Sequence, residues 1–434
     1  DLGKVSNVGG VRIHWDSGFA AAYSIQTSID GKDFHPVYTV TDSPGGTEYL
    51  VFPATKARYV RLAAPARTAD WGVSVFEFEP FSADQAARVA GLDGKDDGAT
   101  LWADGTSRGI AGKGPKGARQ LDIALPHPID IAGLEVSWDG PRDGATLEGR
   151  DAQGHWSTLD SDPGSVGDTS YLAARASRPL TALRLVVGAK GNATPRVKRL
   201  RFLGPLRVMT AMKRYQIAAS RENAALFPSS LHMQQVYWTA VGVPAGLQKS
   251  IFDEYGNLEP FKGGPQIQAI WRDASGRTAV SDGAERRHAL RDRWKPMPSV
   301  AWTVQPGLTM TSEAIAVEGN GQPVVLLRHR LRNEGATTID GTLSLVVRPI
   351  QINPPWQNGG PSPIHDIAIQ GDGAHTDVRV DGRTLLASLT PVDDAGAAPF
   401  GDHGETEITA QVAAGTVPDA REAYDADGLA AGLL

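Results

Sequence analysis

Cysteine is missing from all 434 residues. Disulfides, a thiolate nucleophile and cysteine-held zinc or iron–sulfur centres are therefore excluded, while either redox compartment stays open. Long apolar runs are missing too. None approaches the roughly 18 residues of a spanning helix, so no membrane span is expected. There is no basic excess: 43 Lys and Arg stand against 49 Asp and Glu, a net charge of −6. A nucleic-acid binder is usually basic, so no nucleic-acid partner is expected. The 10 histidines include no H-E-x-x-H or other close metal spacing. The chain starts at Asp1, with neither Met nor a signal-like segment.

Turn-forming residues, by contrast, are plentiful. There are 49 Gly and 29 Pro, well above ordinary usage. Many turns are what all-β domains need. Apolar residues make up 41%, enough for real cores and too many for a disordered chain. At roughly 150 residues per domain, the length suggests about three domains.

The chain repeats itself once. Residues 7–16 read NVGGVRIHWD and residues 130–139 read DIAGLEVSWD, an offset of 123. Arg61-Leu62 and Arg184-Leu185 match at the same offset. Between them lie two turns rich in Asp and Gly, SIDGKDF and GRDAQGHW, and each copy closes on a short strand, VFEFEPF or RLRFLGP. Val11, Ile13 and Trp15 alternate with Arg12 and His14, as Leu134, Val136 and Trp138 alternate with Glu135 and Ser137. Period-2 runs between turns predict antiparallel sandwich strands, with Trp15 and Trp138 in their cores. The second copy has about 40 residues before Leu121-Asp122, whereas the first has nothing before Asp1-Leu2. A sandwich without those strands would expose open edges. The expectation is a fragment cut inside its first domain.

DLGKVSNVGGVRIHW, then YSIQTS with Asp30-Gly31, then ARYVRL and VSVFEFE, resembles the discoidin family, the coagulation factor C-type, galactose-binding-like sandwiches. The resemblance is good over 1–81 and weaker over 82–205, where GLDGKDDGATLW is similar to the family's early turn. It implies carbohydrate binding, as on bacterial glycoside hydrolases, and a secreted or periplasmic setting. It also implies a structural Ca²⁺ near Asp93 and Asp96, often completed by a glutamate in the last strand. Glu77 supplies one in the first copy, while Arg201 stands in the aligned place in the second. An Asp-Gly turn capping its own backbone is the plainer reading of that segment.

From about Arg207 the texture changes to long alternating strands. In VVLLRHRLRNEG, Leu327, His329 and Leu331 share the face opposite Arg328, Arg330 and Arg332. YWTAVGVP, DEYGNLEP, PSVAWT, RHRLRNEG and VVRPIQINPPWQ, in this order, resemble a bacterial group in which a β-supersandwich precedes a helical six-hairpin toroid. That layout belongs to glucoamylase-like and cellobiose-phosphorylase-like enzymes. The resemblance implies catalytic carboxylates in the toroid, and the toroid as a partner of this region. In the tail, Asp419 with Glu422 three residues on reads as a helix start of the capping-box kind. The expected architecture is all-β. A truncated discoidin-like sandwich (1–81) is followed by a second (82–205), a large supersandwich (206–415) and a helical linker (416–434).

Several motifs compete with plain structural roles. Gly105-x-Ser107-x-Gly109 fits a nucleophile elbow, but the IAGKGPKG that follows cannot be the required helix. Gly112-x-Gly114-x-x-Gly117 lacks the βαβ context of a dinucleotide site and holds Pro115. Both read as turn-rich loops. Arg67, Asp70 and Trp71 share the loop before the first closing strand. There Trp71 could stack on a sugar face while Arg67 and Asp70 bond hydroxyls, or it could simply cover the sandwich end. In the second copy Lys190, Asn192 and Arg196 occupy the matching loop without an aromatic, so that copy should bind more weakly or serve structure. Two modules on one chain would raise retention on a polymer by avidity.

Tyr237, Trp238, Trp294, Trp302 and Trp356 give the last region an aromatic surplus beside Gln234, Gln235, Glu254, Glu259, Asn353 and Gln357. This mixture suits the rim of a sugar cleft, with Tyr237 and Trp238 foremost, or a domain interface. Glu254 and Glu259 on one turn could mimic a glycosidase pair, although the resemblance places catalysis elsewhere. ERRHALRDRWK is locally basic and reads as a solvated loop. The functional expectation is the carbohydrate-binding, accessory β-region of a bacterial glycoside hydrolase or phosphorylase-like enzyme. A non-catalytic glycan-binding or adhesion protein is the alternative. No catalytic residue is assigned, and an oligo- or polysaccharide is the expected ligand.

Overall fold

The alternating stretches fold as strands. The computed structural model describes residues 1–66, 72–82, 88–90, 107–124, 133–164, 169–174, 180–188, 194–203 and 235–434, less 17, 42, 44, 46, 141, 282, 355, 356, 372 and 373, together with 212, 214, 215, 219 and 227. They divide into two units, Asp1–Met209 and Thr210–Leu434. No helix among the described residues is long and apolar enough to cross a membrane.

In the first unit, β1 (Ser6–Trp15), β2 (Ala22–Ser28), β3 (His35–Val40), β4 (Thr47–Ala57), β5 (Tyr59–Ala66) and β6 (Val75–Ser82) form the first copy. After β7 (Arg88–Ala90), β8 (Arg108–Gly109) and β9 (Arg119–Ala124) comes the second copy. It comprises β10 (Gly133–Trp138), β11 (Ala145–Arg150), β12 (Trp156–Asp162), β13 (Thr169–Ala173), β14 (Ala182–Val187) and β15 (Arg196–Leu203). The six strands of each copy correspond one to one. The pairing β4-β1-β6 recurs as β13-β10-β15, and β3-β2-β5 recurs as β12-β11-β14. The first core closes over Val11, Ile13, Trp15, Ile25, Val40 and Leu50, and the second over Leu134, Val136, Trp138, Leu147, Leu183 and Leu185. The expected burial of Trp15 and Trp138 is met, at 3% and 1% exposure.

The repeated glycine of the motif has a steric reason. A Cβ on Gly10 would stand 2.4 Å from the Leu50 carbonyl oxygen, and one on Gly133 would stand 2.1 Å from that of Leu172. Each glycine lets the neighbouring strand close in. The Asp-Gly turns also match. Asp30 accepts from the backbone N–H of Lys32 and Asp33, which holds its carboxyl at about 2. Asp151 accepts from those of Gln153 and His155.

Two features break the symmetry. In the second copy β14 continues to β9 and β7, giving five strands, whereas β3-β2-β5 is a sheet of three. In addition, β15 pairs antiparallel with β4 through Phe202↔Tyr49 and Leu203↔Glu48. The two sandwiches thereby share one sheet, ordered β13-β10-β15-β4-β1-β6.

The second unit builds one large sheet from β16 (Trp238–Val241), β17 (Ser250–Asp253), β18 (Leu258–Glu259), β19 (Gln266–Asp273) and β20 (Thr278–Ala279), joined by three later strands. β21 (Arg286–Leu290), β22 (Pro298–Gln305), β23 (Leu308–Gly319) and β24 (Gln322–Asn333) form a four-stranded meander. β25 (Gly341–Arg348) returns to the large sheet, and β26 (Asp366–Gly371), β27 (Thr376–Val380) and β28 (Arg383–Ala387) start a third. β29 (Gly396–Ala398), helix α1 (Ile408–Ala414), β30 (Glu422–Tyr424) and β31 (Ala431–Leu433) complete the chain. Val300, Val347, Ile367, Val378 and Ala430 share one core drawn from all three sheets.

The tail corrects the sequence reading. Residues 416–434 hold no helix; Glu422 lies in β30 opposite Ala368, and β31 lies between β25 and β29. The capped helix lies earlier, where buried Glu407 accepts from the N–H of Thr409 (2.7 Å) and Ala410 (3.0 Å). Small residues decide the tail: a Cβ on Gly432 would meet the Ile367 side chain at 2.8 Å. Strand pairing inside the sheet overrides a local helix-start signal. The basic segment is likewise no loop along its first half, since Arg286–Leu290 is β21.

Candidate functional site

Antiparallel pairing brings three connections of the first sandwich to one end. Trp15 at the end of β1 lies opposite Val75 at the start of β6, and His14 opposite Thr47 at the start of β4. At the same end Ala22 pairs with Ala66, and Tyr23 with Val40. Ser74 fastens two connections: its N–H donates to the Gly18 carbonyl (2.8 Å), its carbonyl accepts from Asp16 N–H (3.1 Å), and its hydroxyl donates to Asp16 Oδ2 (3.1 Å). The third is tied by Ser43 N–H to the Ala21 carbonyl at 2.8 Å.

Beneath this end lies a polar hub that the sequence reading missed. Glu48 is 1% exposed and accepts from Trp15 Nε1 (2.6 Å), Ser43 Oγ (2.7 Å) and Tyr23 OH (3.0 Å). One carboxylate thus gathers donors from β1, β2 and the β3–β4 connection, as a buried acid must. The signal was present: Glu48 keeps the phase of the core residues Leu50 and Phe52. The second copy solves the same problem differently. Trp138 Nε1 donates to Ser170 Oγ (2.8 Å), Ser170 also bonds Asp162, and the Arg142 guanidinium lies 4.9 Å from the Trp138 ring centre.

Arg67, Asp70 and Trp71 lie in the β5–β6 connection, outside the described residues, but its flanks Ala66 and Gly72 belong to the end just described. Asp93 and Asp96, named for Ca²⁺, and Lys190 and Asn192 are also outside the described residues. Arg196 is anchored, its guanidinium donating to Ser107 Oγ (3.0 Å) and the Ser107 carbonyl (2.8 Å). That contact gives Ser107 a structural role.

The carboxylate that would complete a Ca²⁺ site does not fit the part. Glu77 pairs with Arg12 at 2.5 Å, and Arg12 also reaches Glu79 at 2.7 Å. Strand register makes Arg199, rather than Arg201, the counterpart of Glu77: His14 pairs with Glu77, and Ser137, the counterpart of His14, pairs with Arg199. Arg199 is bound to Glu135 at 2.7 Å. The polarity of the pair is thus reversed between the copies, and neither copy leaves an acid there for a cation. No group of three metal-ligating side chains occurs among the described residues.

In the second unit Tyr237 and Trp238 are 65% and 46% exposed at the start of the edge strand β16. Consecutive residues of an extended segment face opposite sides, so the two rings present to different surfaces. Glu254 accepts from Tyr237 N–H at 3.2 Å, and Arg286 lies 4.0 Å from its other oxygen. Glu259 is buried, accepting from the N–H of Gly263 (2.8 Å) and Ile352 (3.0 Å). Burial raises its carboxyl above the usual range. Both glutamates accept from backbone N–H groups. Trp302 is core, Trp294 is exposed, and Trp356 is outside the described residues.

Asp253 closes the same turn, accepting from Tyr255 N–H, Asn257 N–H and Asn257 Nδ2 at 2.8–2.9 Å. Burial pushes its carboxyl up to about 7. A raised native value means that the folded state keeps the proton longer. The resulting stability is complete below the unfolded carboxyl range near 4 and is lost as pH rises through about 7. Relative to Asp253→Asn, the parent should therefore lose stability between pH 4 and 7 and change little above. Denaturant unfolding of both proteins across that range checks the sign.

Residues 1–78 match the model of the F5/8 type C domain, so a domain of this kind stands at the N-terminus of the chain. No curated protein matches the sequence. Among solved structures, the chain is similar to chitosan-binding module 1 of a chitosanase/glucanase from Paenibacillus sp. IK-5. Identity is 34%, covering 19% of this chain and 64% of the module, with a TM-score of 0.19. Module 2 of that enzyme, in complex with chitotriose, is 33% identical over 18% of this chain and 64% of the module, with a TM-score of 0.18. Allantoicase from Saccharomyces cerevisiae is 13% identical over 46% of this chain and 73% of that one, with a TM-score of 0.22. The chain thus spans 64% of the length of the chitosan-binding modules it matches.

Proposed function

We propose that the first sandwich is a carbohydrate-binding module whose ligand rests on the end formed by the β1–β2, β3–β4 and β5–β6 connections. The observation that carries this reading is the F5/8 type C match over residues 1–78, the segment whose connections meet above Glu48. Trp71 offers a stacking face, with Arg67 and Asp70 beside it in sequence. One stacked ring and a few hydrogen bonds, each worth about 0.5–1.5 kcal/mol, give a weak site with Kd on the order of 0.1–1 mM. The test is titration of the whole chain with a panel of neutral oligosaccharides that includes chitotriose. Trp71→Ala should weaken the best ligand roughly tenfold, the worth of one aromatic stacking face. Undiminished binding would place the site elsewhere, and no binding to any sugar would leave the module a packing role.

The chain as a whole is proposed to serve as the accessory β-region of a bacterial glycoside hydrolase or phosphorylase-like enzyme, beside a catalytic six-hairpin helical domain. The resemblance of residues 227–357 supports this, as does the commitment of Glu254 and Glu259 to backbone N–H groups. The chain by itself should release neither reducing sugar nor sugar phosphate from oligosaccharides. Turnover that vanishes in Glu254→Gln or Glu259→Gln would instead make it an enzyme in its own right.

A further inference from the structure

The outer face of the β21–β24 meander carries an unusual surplus of one charge. Alternation along β24 turns Arg328, Arg330 and Arg332 to solvent, while Leu327, His329 and Leu331 are half-buried on the other side. Strand register then builds rows across the face. Arg330 stands beside Thr311, Thr311 beside Ala301, and Ala301 beside Arg287 on β21. The next row runs from Arg332 to Thr309 and Thr303. On the far side Arg328 meets Glu313, the one carboxylate of these rows.

Glu313 is already taken. It accepts from Arg328 Nε at 2.9 Å and lies 3.7 Å from Arg291. The guanidinium groups of Arg287, Arg330 and Arg332 make no hydrogen bond or ion pair among the described residues, although the whole chain carries a net charge of −6. With roughly 6.8 Å between alternate residues and about 4.8 Å between strands, Arg330 and Arg332 form one wall. Arg287 stands about 14 Å away as the other. The floor between them is small and carries hydroxyls.

We infer that this face binds an anionic polysaccharide. Carboxylate or sulfate groups take the guanidinium groups of Arg287, Arg330 and Arg332, and the hydroxyls of Thr309 and Thr311 bond the sugar between them. Guanidinium forks suit planar or multi-oxygen anions, and such charge-assisted bonds are the stronger kind. Like charges placed side by side repel, and a bound polyanion relieves that repulsion. A protein partner would require a large apolar anchor at the centre, and Ala301 and Thr311 supply none. The apolar pairs Ile315–Leu326 and Val317–Val324 lie farther out, toward the hairpin tip.

The test uses the whole chain with polygalacturonate as the carboxylate arm, chondroitin sulfate as the sulfate arm, dextran as the neutral control and duplex DNA as the unrelated polyanion. Affinity electrophoresis at low salt should show retardation by at least one acidic polysaccharide and none by dextran. Retardation should fall tenfold or more in Arg330→Ala/Arg332→Ala, fall also in Arg287→Ala, and weaken at high salt because exposed charges are screened. The arginines lack partners, so the thermal midpoint of these variants should equal the parent's. Failure to bind either acidic polysaccharide would overturn the inference. So would binding that survives the arginine substitutions, or DNA binding as tight as that of the polysaccharide.

Discussion

Arg199→Ala should destabilise the first unit by about 3–5 kcal/mol, whereas Arg12→Ala, at the matching place in the other copy, should cost only about 0–1 kcal/mol. The chemistry of the two pairs is the same and their surroundings differ. Glu135 is 0% exposed within β10, whose residues are all buried, and Arg199 on β15 is 5% exposed. Removing the guanidinium leaves a carboxylate in a place that water cannot reach. Arg12 meets Glu77 and Glu79, whose side chains are 53% and 63% exposed, so solvent takes over when the arginine goes. A double change, Glu135→Leu with Arg199→Leu, should recover most of the loss, since a buried pair repays little beyond its own desolvation. Urea unfolding followed by tryptophan fluorescence gives all three values. Equal costs at positions 12 and 199 would contradict this account.

Glu48→Ala should be nearly as damaging, at about 3–5 kcal/mol, because each buried donor left without an acceptor costs about 1–3 kcal/mol. Three donors lose their acceptor at once: the Trp15 indole N–H and the hydroxyls of Tyr23 and Ser43. All three bonds end on one carboxylate oxygen, so Glu48→Gln, whose carbonyl can take that place, should cost clearly less. The hub ties together the strand ends that carry the proposed sugar site, so Glu48→Ala should also weaken binding of the ligand that Trp71→Ala weakens. Calorimetry on the parent and both variants reads stability and binding together.

Much of the first unit was legible because its repeat is written in residues that sterics allows no substitute for. Gly10 and Gly133 admit a neighbouring carbonyl, and Trp15 and Trp138 fill equivalent cores. Alternation likewise gave the two faces of β24 correctly. The misses have physical causes. Glu48 and Ser170 occupy equivalent places with unlike chemistry, so comparing the copies hides the hub. Both closing strands alternate charged and apolar residues, so sequence alone does not say whether Arg199 or Arg201 matches Glu77; strand pairing settles it, with Glu77 matching Arg199 and Glu79 matching Arg201. The tail carried a helix-start signal, but pairing of β31 between β25 and β29, with Gly432 against the Ile367 side chain, drew it into a sheet. The arginines of β21 and β24 are far apart in sequence and become neighbours only through two hairpins.

The shared sheet of the first unit has a directional consequence. From β1 to β4, from β4 to β15 and from β15 to β10, each step is antiparallel. After three reversals β10 runs opposite to β1, so equivalent ends of the two sandwiches open in opposite directions. Ligands on both ends would be held back to back, like ropes tied to the two poles of a post.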